Sequence, residues 1–169
     1  MLELLFAISD MDVGQVTKAS NEIVASIPHW EMPHEFFVDF AYTDIPIRKG
    51  NITVEVGPGV EFNYAYPWNW YMGWNNHSYI EVTPILTKEQ AEKKWNLILS
   101  QLSSKPGRSP ISIEVNGKLI ANGFQPYVDA WREDYFPVDL KEGENTITIR
   151  LLNANTCYWI QKLYIDPIE

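Results

Sequence analysis

"YFPVDLKEGENTITIRL", residues 135–151, is the stretch whose reading decides the fold. It opens as a strand, breaks at Gly143-Glu144-Asn145, and resumes with Ile147, Ile149 and Leu151 at every second position. Successive side chains of a strand point to opposite faces, so those three aliphatics share one buried side. Gly143 permits the backbone reversal, and Asn145 suits the position that leads into the next strand. Two extended segments joined by a turn are therefore expected.

The same period of two recurs outward from this point. "PISIEV" aligns Ile111, Ile113 and Val115, and Asn116-Gly117 directly after it is a strong hairpin turn. "EFFVDFAY" aligns Phe36, Val38, Phe40 and Tyr42; "NITVEV" aligns Ile52, Val54 and Val56; "SYIEVTPI" aligns Ile80 and Val82. "YWIQKLYI" supplies a last strand, and "LLFAI" and "NEIVASI" add two near the start. One helix is expected: Thr87 and Gln90 have the spacing of a capping box, and Ala91, Trp95, Ile98, Leu99 and Leu102 follow at helical intervals. "SSKPGRSP" would end it inside a long connection. Strands in succession, without strand–helix alternation, predict an all-β, antiparallel two-sheet sandwich formed as a single domain over residues 1–169.

The order of elements over residues 111–165 resembles the galactose-binding-like β-sandwich, the jelly roll of many carbohydrate-binding modules. It carries "ISIEVNGKLI", then residues 135–151, then "YWIQKLYI". The resemblance covers about the last third of the chain and implies the fold first and a sugar ligand second. It also implies attachment to a catalytic domain of a larger polypeptide, as in glycoside hydrolases and polysaccharide lyases. The first half of the chain carries no family motif.

The densest aromatic stretch is "FNYAYPWNW", residues 62–70, with rings at Phe62, Tyr64, Tyr66, Trp68 and Trp70. Phe62 and Tyr64 continue inward from Val60; Pro67 suits an edge or a loop mouth, and "YMGWNNHS" then reads as a loop. Pyranoses present a face of C–H bonds that packs on aromatic rings and a rim of hydroxyls that needs polar partners. The expected platform is Tyr66, Trp68, Trp70, Tyr71 and Trp74, with Asn69, Asn75, Asn76 and His77 hydrogen-bonding hydroxyls. A second cluster, "YVDAWREDYF", adds Trp131 and Arg132, the latter able to bridge hydroxyls or a carboxylate with its fork of donors. Trp30 poses the same choice. The competing readings are core packing and contact with a neighbouring domain.

Charge and motifs narrow the alternatives. Thirteen basic against 22 acidic residues give a net charge of −9, against a nucleic-acid partner and an anionic membrane surface. No window approaches the ~20 apolar residues of a membrane helix. The start has no signal-peptide pattern, so the compartment stays open: Met1 begins a cytoplasmic protein or marks a piece of a longer secreted one, extracellular or at the cell surface. Cys157 is the single cysteine and reads as a buried thiol. His29, His34, Glu31 and Glu35 have no recognised zinc spacing. Asp10 and Asp12 begin a calcium-loop pattern that lacks its later ligands; no cofactor is expected, with a structural calcium left open. No hydrolase elbow, phosphate loop or dinucleotide fingerprint occurs. The expected function is non-catalytic binding of an oligo- or polysaccharide, with a structural accessory domain and a lyase or esterase as the rivals.

Overall fold

The computed structural model describes residues 34–168 except 65–68, 74–76, 104–108, 129 and 154–155. The strands expected at "LLFAI" and "NEIVASI", the acids Asp10 and Asp12, and His29, Trp30 and Glu31 lie outside the described residues. The strands, in chain order, are β1 (Phe36–Asp39), β2 (Ile47–Lys49), β3 (Ile52–Val56), β4 (Val60–Phe62), β5 (Trp70–Gly73), β6 (Tyr79–Leu86), β7 (Trp95–Ser103), β8 (Ile111–Val115), β9 (Lys118–Phe124), β10 (Arg132–Val138), β11 (Gly143–Glu144), β12 (Ile147–Leu151) and β13 (Cys157–Pro167). Among the described residues one helix, α1 (Lys88–Ala91), separates β6 from β7.

The strands form two antiparallel sheets. In the first the order is β10-β7-β13-β1-β2, with β5 also on β13 and β4 on β5. The second runs β11-β6-β12-β8-β9, with β3 on β6. Period-two alternation builds the core between them. Ile80 and Val82, Ile111 and Ile113, and Ile147, Ile149 and Leu151 are fully buried from the second sheet. Phe36, Val38, Trp95, Leu97, Leu99, Tyr158, Ile160, Leu163 and Ile165 meet them from the first.

The strand β13 is the spine of the first sheet. It pairs with β7 along its length. On its other side Cys157 to Ile160 pair with β5, and Lys162 to Ile165 pair with β1. The change of partner falls at Gln161, where an extra residue interrupts the β7 register.

The helix is shorter than the sequence pattern predicts. The capping box forms: the Gln90 N–H donates to Thr87 Oγ1 at 3.3 Å and the Thr87 N–H to Gln90 Oε1 at 2.8 Å. Helical backbone stops at Ala91, however, and Trp95–Ser103 is a nine-residue strand. The sequence "WNLILSQLS" satisfies both periods, since Trp95 and Leu99 are four apart and Trp95, Leu97 and Leu99 alternate. Ladders with β10 and β13 on both sides resolve the ambiguity. Two phase expectations also change. Tyr42 leaves the row of Phe36, Val38 and Phe40, with φ +62° and 75% exposure, and Tyr64 is 77% exposed instead of facing inward.

The turn at 141–145 is fixed by one side chain. Asn145 is fully buried, and its Oδ1 accepts from the Lys141 N–H at 2.9 Å and from Asn116 Nδ2 at 2.9 Å. Its Nδ2 donates to the carbonyls of Lys141 at 2.8 Å and Gly143 at 3.0 Å. Asn116 sits in the β8–β9 hairpin, where φ is +51° and +76° at Asn116 and Gly117, the left-handed pair that a two-residue turn requires. One amide thus ties together two turns far apart in sequence. Replacing it removes four hydrogen bonds from the two turns, each contributing about 0.5–1.5 kcal/mol net. Asn145→Ala is expected to lower unfolding free energy by about 2–4 kcal/mol in urea titration, with no change in the denaturant slope.

A polar chain crosses the interior of the first sheet. The Tyr158 hydroxyl donates to Gln101 Oε1 at 2.8 Å, and Gln101 Nε2 donates to Asp134 Oδ2 at 2.7 Å. Burial, with Asp134 nearby, holds the Tyr158 phenol well above its ordinary pKa. Burial and the surrounding acids push Tyr164 up to about 12. A folded-state pKa above the unfolded value of 10.0 gives stability that is complete below pH 10 and lost as pH rises through the folded value. Alkaline spectrophotometric titration should therefore show Tyr158 ionising only as the fold is lost and Tyr164 ionising later than an ordinary phenol, and Tyr158→Phe should remove the first of these steps.

Candidate functional site

The reversal between β4 and β5 changes the meaning of the aromatic stretch. Phe62 and Trp70 lie opposite each other in an antiparallel pair, so residues 62–70 do not form one strand with five rings on one side. Trp70 faces inward: it is 7% exposed, meets Phe40 edge-on at 5.8 Å, and donates its indole N–H to the Thr43 carbonyl at 2.9 Å. Asn69 is 3% exposed, and its Oδ1 accepts from Asn63 Nδ2 at 3.3 Å. Neither can offer a face or a free amide to a ligand, which corrects the expectation for both. Tyr66, Trp68, Trp74, Asn75 and Asn76 lie outside the described residues, and His77 is exposed at a turn.

With Trp70 turned in, alternation turns Tyr71 out. Across β5 and β13, Tyr71 is the partner of Trp159, and across β13 and β7, Trp159 is the partner of Leu102. The β7–β10 ladder ends at Gln101 and Arg132, and Trp131 immediately precedes β10 at that end. The inward neighbours Met72, Tyr158, Ile160 and Gln101 are all fully buried, so this row occupies the outer face of the first sheet. Tyr71, Trp159, Leu102 and Trp131 are each half-buried. Two of the four, Tyr71 and Trp131, were expected as ligand residues; Tyr71 pairs with Trp159, which pairs with Leu102. Trp159 was overlooked because "YWIQKLYI" reads only as a strand, and its phase relative to Tyr71 depends on non-local pairing.

The surroundings of the row shape it. The Tyr71 hydroxyl donates to Glu61 Oε2 at 2.9 Å, which fixes the ring and raises the phenol pKa. On one flank lie Gly73 and Cys157, paired to each other. A Cβ at Gly73 would stand 3.3 Å from the Tyr71 ring and 3.2 Å from Cys157 Sγ, so the glycine gives both groups room. Burial pushes the Cys157 thiol up, which disfavours the thiolate a nucleophile needs.

The other flank is a polar row of Asp39, Lys162, Ser100 and Glu133, successive partners across β1, β13, β7 and β10. Gln161 joins it, accepting from the Ser100 hydroxyl at 3.4 Å. Burial raises the Asp39 carboxyl, opposed by the Ala41 N–H and by Lys162. A second apolar row follows, Phe37, Tyr164, Ile98 and Tyr135, of which only Tyr135 is well exposed.

The remaining expected residues have other settings. Arg132 is exposed and its guanidinium stacks on the Tyr127 ring at 3.6 Å from the centroid. His34 Nδ1 pairs with Asp166 Oδ2 at 2.5 Å, and Glu35 Oε1 accepts from Gln90 Nε2 at 2.7 Å. Among the described residues no group of three or more His, Cys, Asp or Glu side chains could hold a metal ion. No described helix is long and apolar enough to cross a membrane.

No protein-family model and no curated protein matches the sequence. Solved structures do. The CBM36-1 domain of a multidomain xylanase from the hindgut metagenome of Trinervitermes trinervoides shares 14% identity, covering 70% of this chain and 99% of that one, with a TM-score of 0.50. The CBM35 of Paenibacillus barcinonensis shares 16% identity over 68% of this chain and 91% of its own, at a TM-score of 0.51. A family 35 carbohydrate-binding module from Clostridium thermocellum shares 17% over 69% and 98%, at 0.50. At these identities the likeness speaks for architecture alone. The chain has the jelly-roll β-sandwich fold of these carbohydrate-binding modules.

Proposed function

We propose that this protein binds carbohydrate without transforming it, through the aromatic row on the outer face of the first sheet. The observation that carries the reading is the register that pairs Tyr71 with Trp159 and Trp159 with Leu102 across three strands, next to a row of polar side chains, with Trp131 immediately before β10. Rings held by a rigid sheet stack on the C–H faces of sugars at little entropic cost, while neighbouring amide and carboxylate groups meet hydroxyls. The shared architecture with carbohydrate-binding modules supports the reading. Arg132 and His77 remain candidate peripheral contacts.

A stacking site of this kind gives modest affinity per sugar, which linkage to a catalytic domain or to further copies would strengthen. The similar module from the termite-gut metagenome belongs to a multidomain xylanase, and this chain would serve a comparable partner. The rival reading, a structural domain that packs on its neighbour, has no observation of its own in its favour.

The test uses tryptophan emission on a glycan panel, because the described indoles divide by position. Trp70 and Trp95 are buried and should not respond, whereas Trp159 and Trp131 should shift with one sugar class. Trp159→Ala and Tyr71→Ala are expected to weaken binding by about tenfold or more each, roughly 1.4 kcal/mol, with circular dichroism unchanged. Binding that survives both substitutions would exclude this face.

A further inference from the structure

We infer that Glu61 is a specificity-determining residue: with the Tyr71 hydroxyl it forms an acceptor-only corner that admits the free hydroxyls of a glycan and turns away ether and ester oxygens. The inference rests on the carbohydrate reading above and specifies which chemical form of the ligand is taken. Its first support is placement. Glu61 on β4 is the direct cross-strand partner of Tyr71 on β5, and Tyr71 is in turn the partner of Trp159 on β13. Cross-strand partners share a face, so the carboxylate stands beside the two rings on the outer side of the sheet. Glu61 is exposed and can meet a ligand there.

The second support is the direction of a hydrogen bond. The Tyr71 hydroxyl donates to Glu61 Oε2 at 2.9 Å. A phenol has one proton to give, and an ionised carboxylate has none. With that proton committed, the phenol oxygen and the carboxylate can only accept, so a group entering the corner must bring the donor. A sugar hydroxyl does. A methyl ether or an acetyl ester brings lone pairs alone, and acceptors facing acceptors give up water without gaining a partner. Sites built to bond a hydroxyl reject analogues that lack it far better than apolar pockets reject a change of size.

The corner is held in place by the same contact. The Glu61 hydrogen bond is the first cause of the raised Tyr71 phenol pKa, ahead of burial and of the Glu61 charge. On the other side of the ring Gly73 leaves open the space that a side chain would take, since a Cβ there would stand 3.3 Å from Tyr71 Cδ2. The fold also supplies a control. Tyr79 donates to Glu55 Oε1 at 3.1 Å, the same kind of bond placed on the second sheet. Glu61→Gln keeps the shape of the side chain but replaces one acceptor oxygen by an amide that donates.

Isothermal titration of the whole chain tests this with β-linked xylo-, gluco- and manno-hexaose and with a partly O-methylated form of each. The free-hydroxyl form of one series is expected to bind about tenfold or more tighter than its methylated form. Glu61→Gln should reduce that ratio to about threefold or less, and Glu55→Gln should leave it unchanged. Nuclear magnetic resonance of isotope-labelled tyrosine, assigned with Tyr71→Phe, should show the Tyr71 phenol ionising nearer its ordinary value in Glu61→Gln. A ratio near one in the unaltered protein, an unchanged ratio in Glu61→Gln, or an unmoved phenol would overturn the inference and leave carbohydrate binding intact. Silence towards every glycan would overturn both.

Discussion

Everything on the outer face depends on the pairing of β13. Its eleven residues carry β7 on one side and divide the other between β5 and β1, with the partner change at Gln161. This one strand fixes which residues of three neighbours face out, and in what register. A slip of one residue would send Trp159 into the core and Tyr158, with its buried hydroxyl, to the surface. The chain Tyr158–Gln101–Asp134 opposes such a slip, since an unpaired phenol or amide in the interior is costly.

The same constraint separates packing from recognition within adjacent residues. Trp70 and Tyr71 are neighbours in sequence, yet one seals the core against Phe40 and Thr43 while the other presents its ring outward beside Trp159. In a strand that difference is one step of alternation. The inward set supplies most of the apolar burial, while the half-buried outward set keeps part of its ring surface exposed. It is free to serve a ligand, provided the sheet beneath it is rigid.

How much was legible in the sequence follows from the same physics. Local signals were read well: the alternation in β6, β8 and β12, the Asn116-Gly117 turn, the left-handed Gly143 and the capping box at Thr87 each depend on a few adjacent residues. Signals with two local solutions were not. Trp95 to Leu102 fits a helix and a strand, and only the ladders with β10 and β13 choose the strand. Residues 62–70 fit a single ring-bearing strand and a reversal, and only the Phe62–Trp70 pairing chooses the reversal. The candidate site was therefore half visible. Tyr71 and Trp131 were expected from aromatic composition, but the pairing of Tyr71 with Trp159 is a fact of long-range register that no window of the sequence contains.

The most direct measurement is a nuclear magnetic resonance titration that follows the indole N–H signals as a neutral β-linked hexasaccharide is added. This account predicts that the Trp159 and Trp131 signals move together and saturate together, while those of Trp70 and Trp95 stay in place. Perturbation confined to residues away from Tyr71, Trp159 and Trp131, with the two outward indoles unmoved, would contradict it.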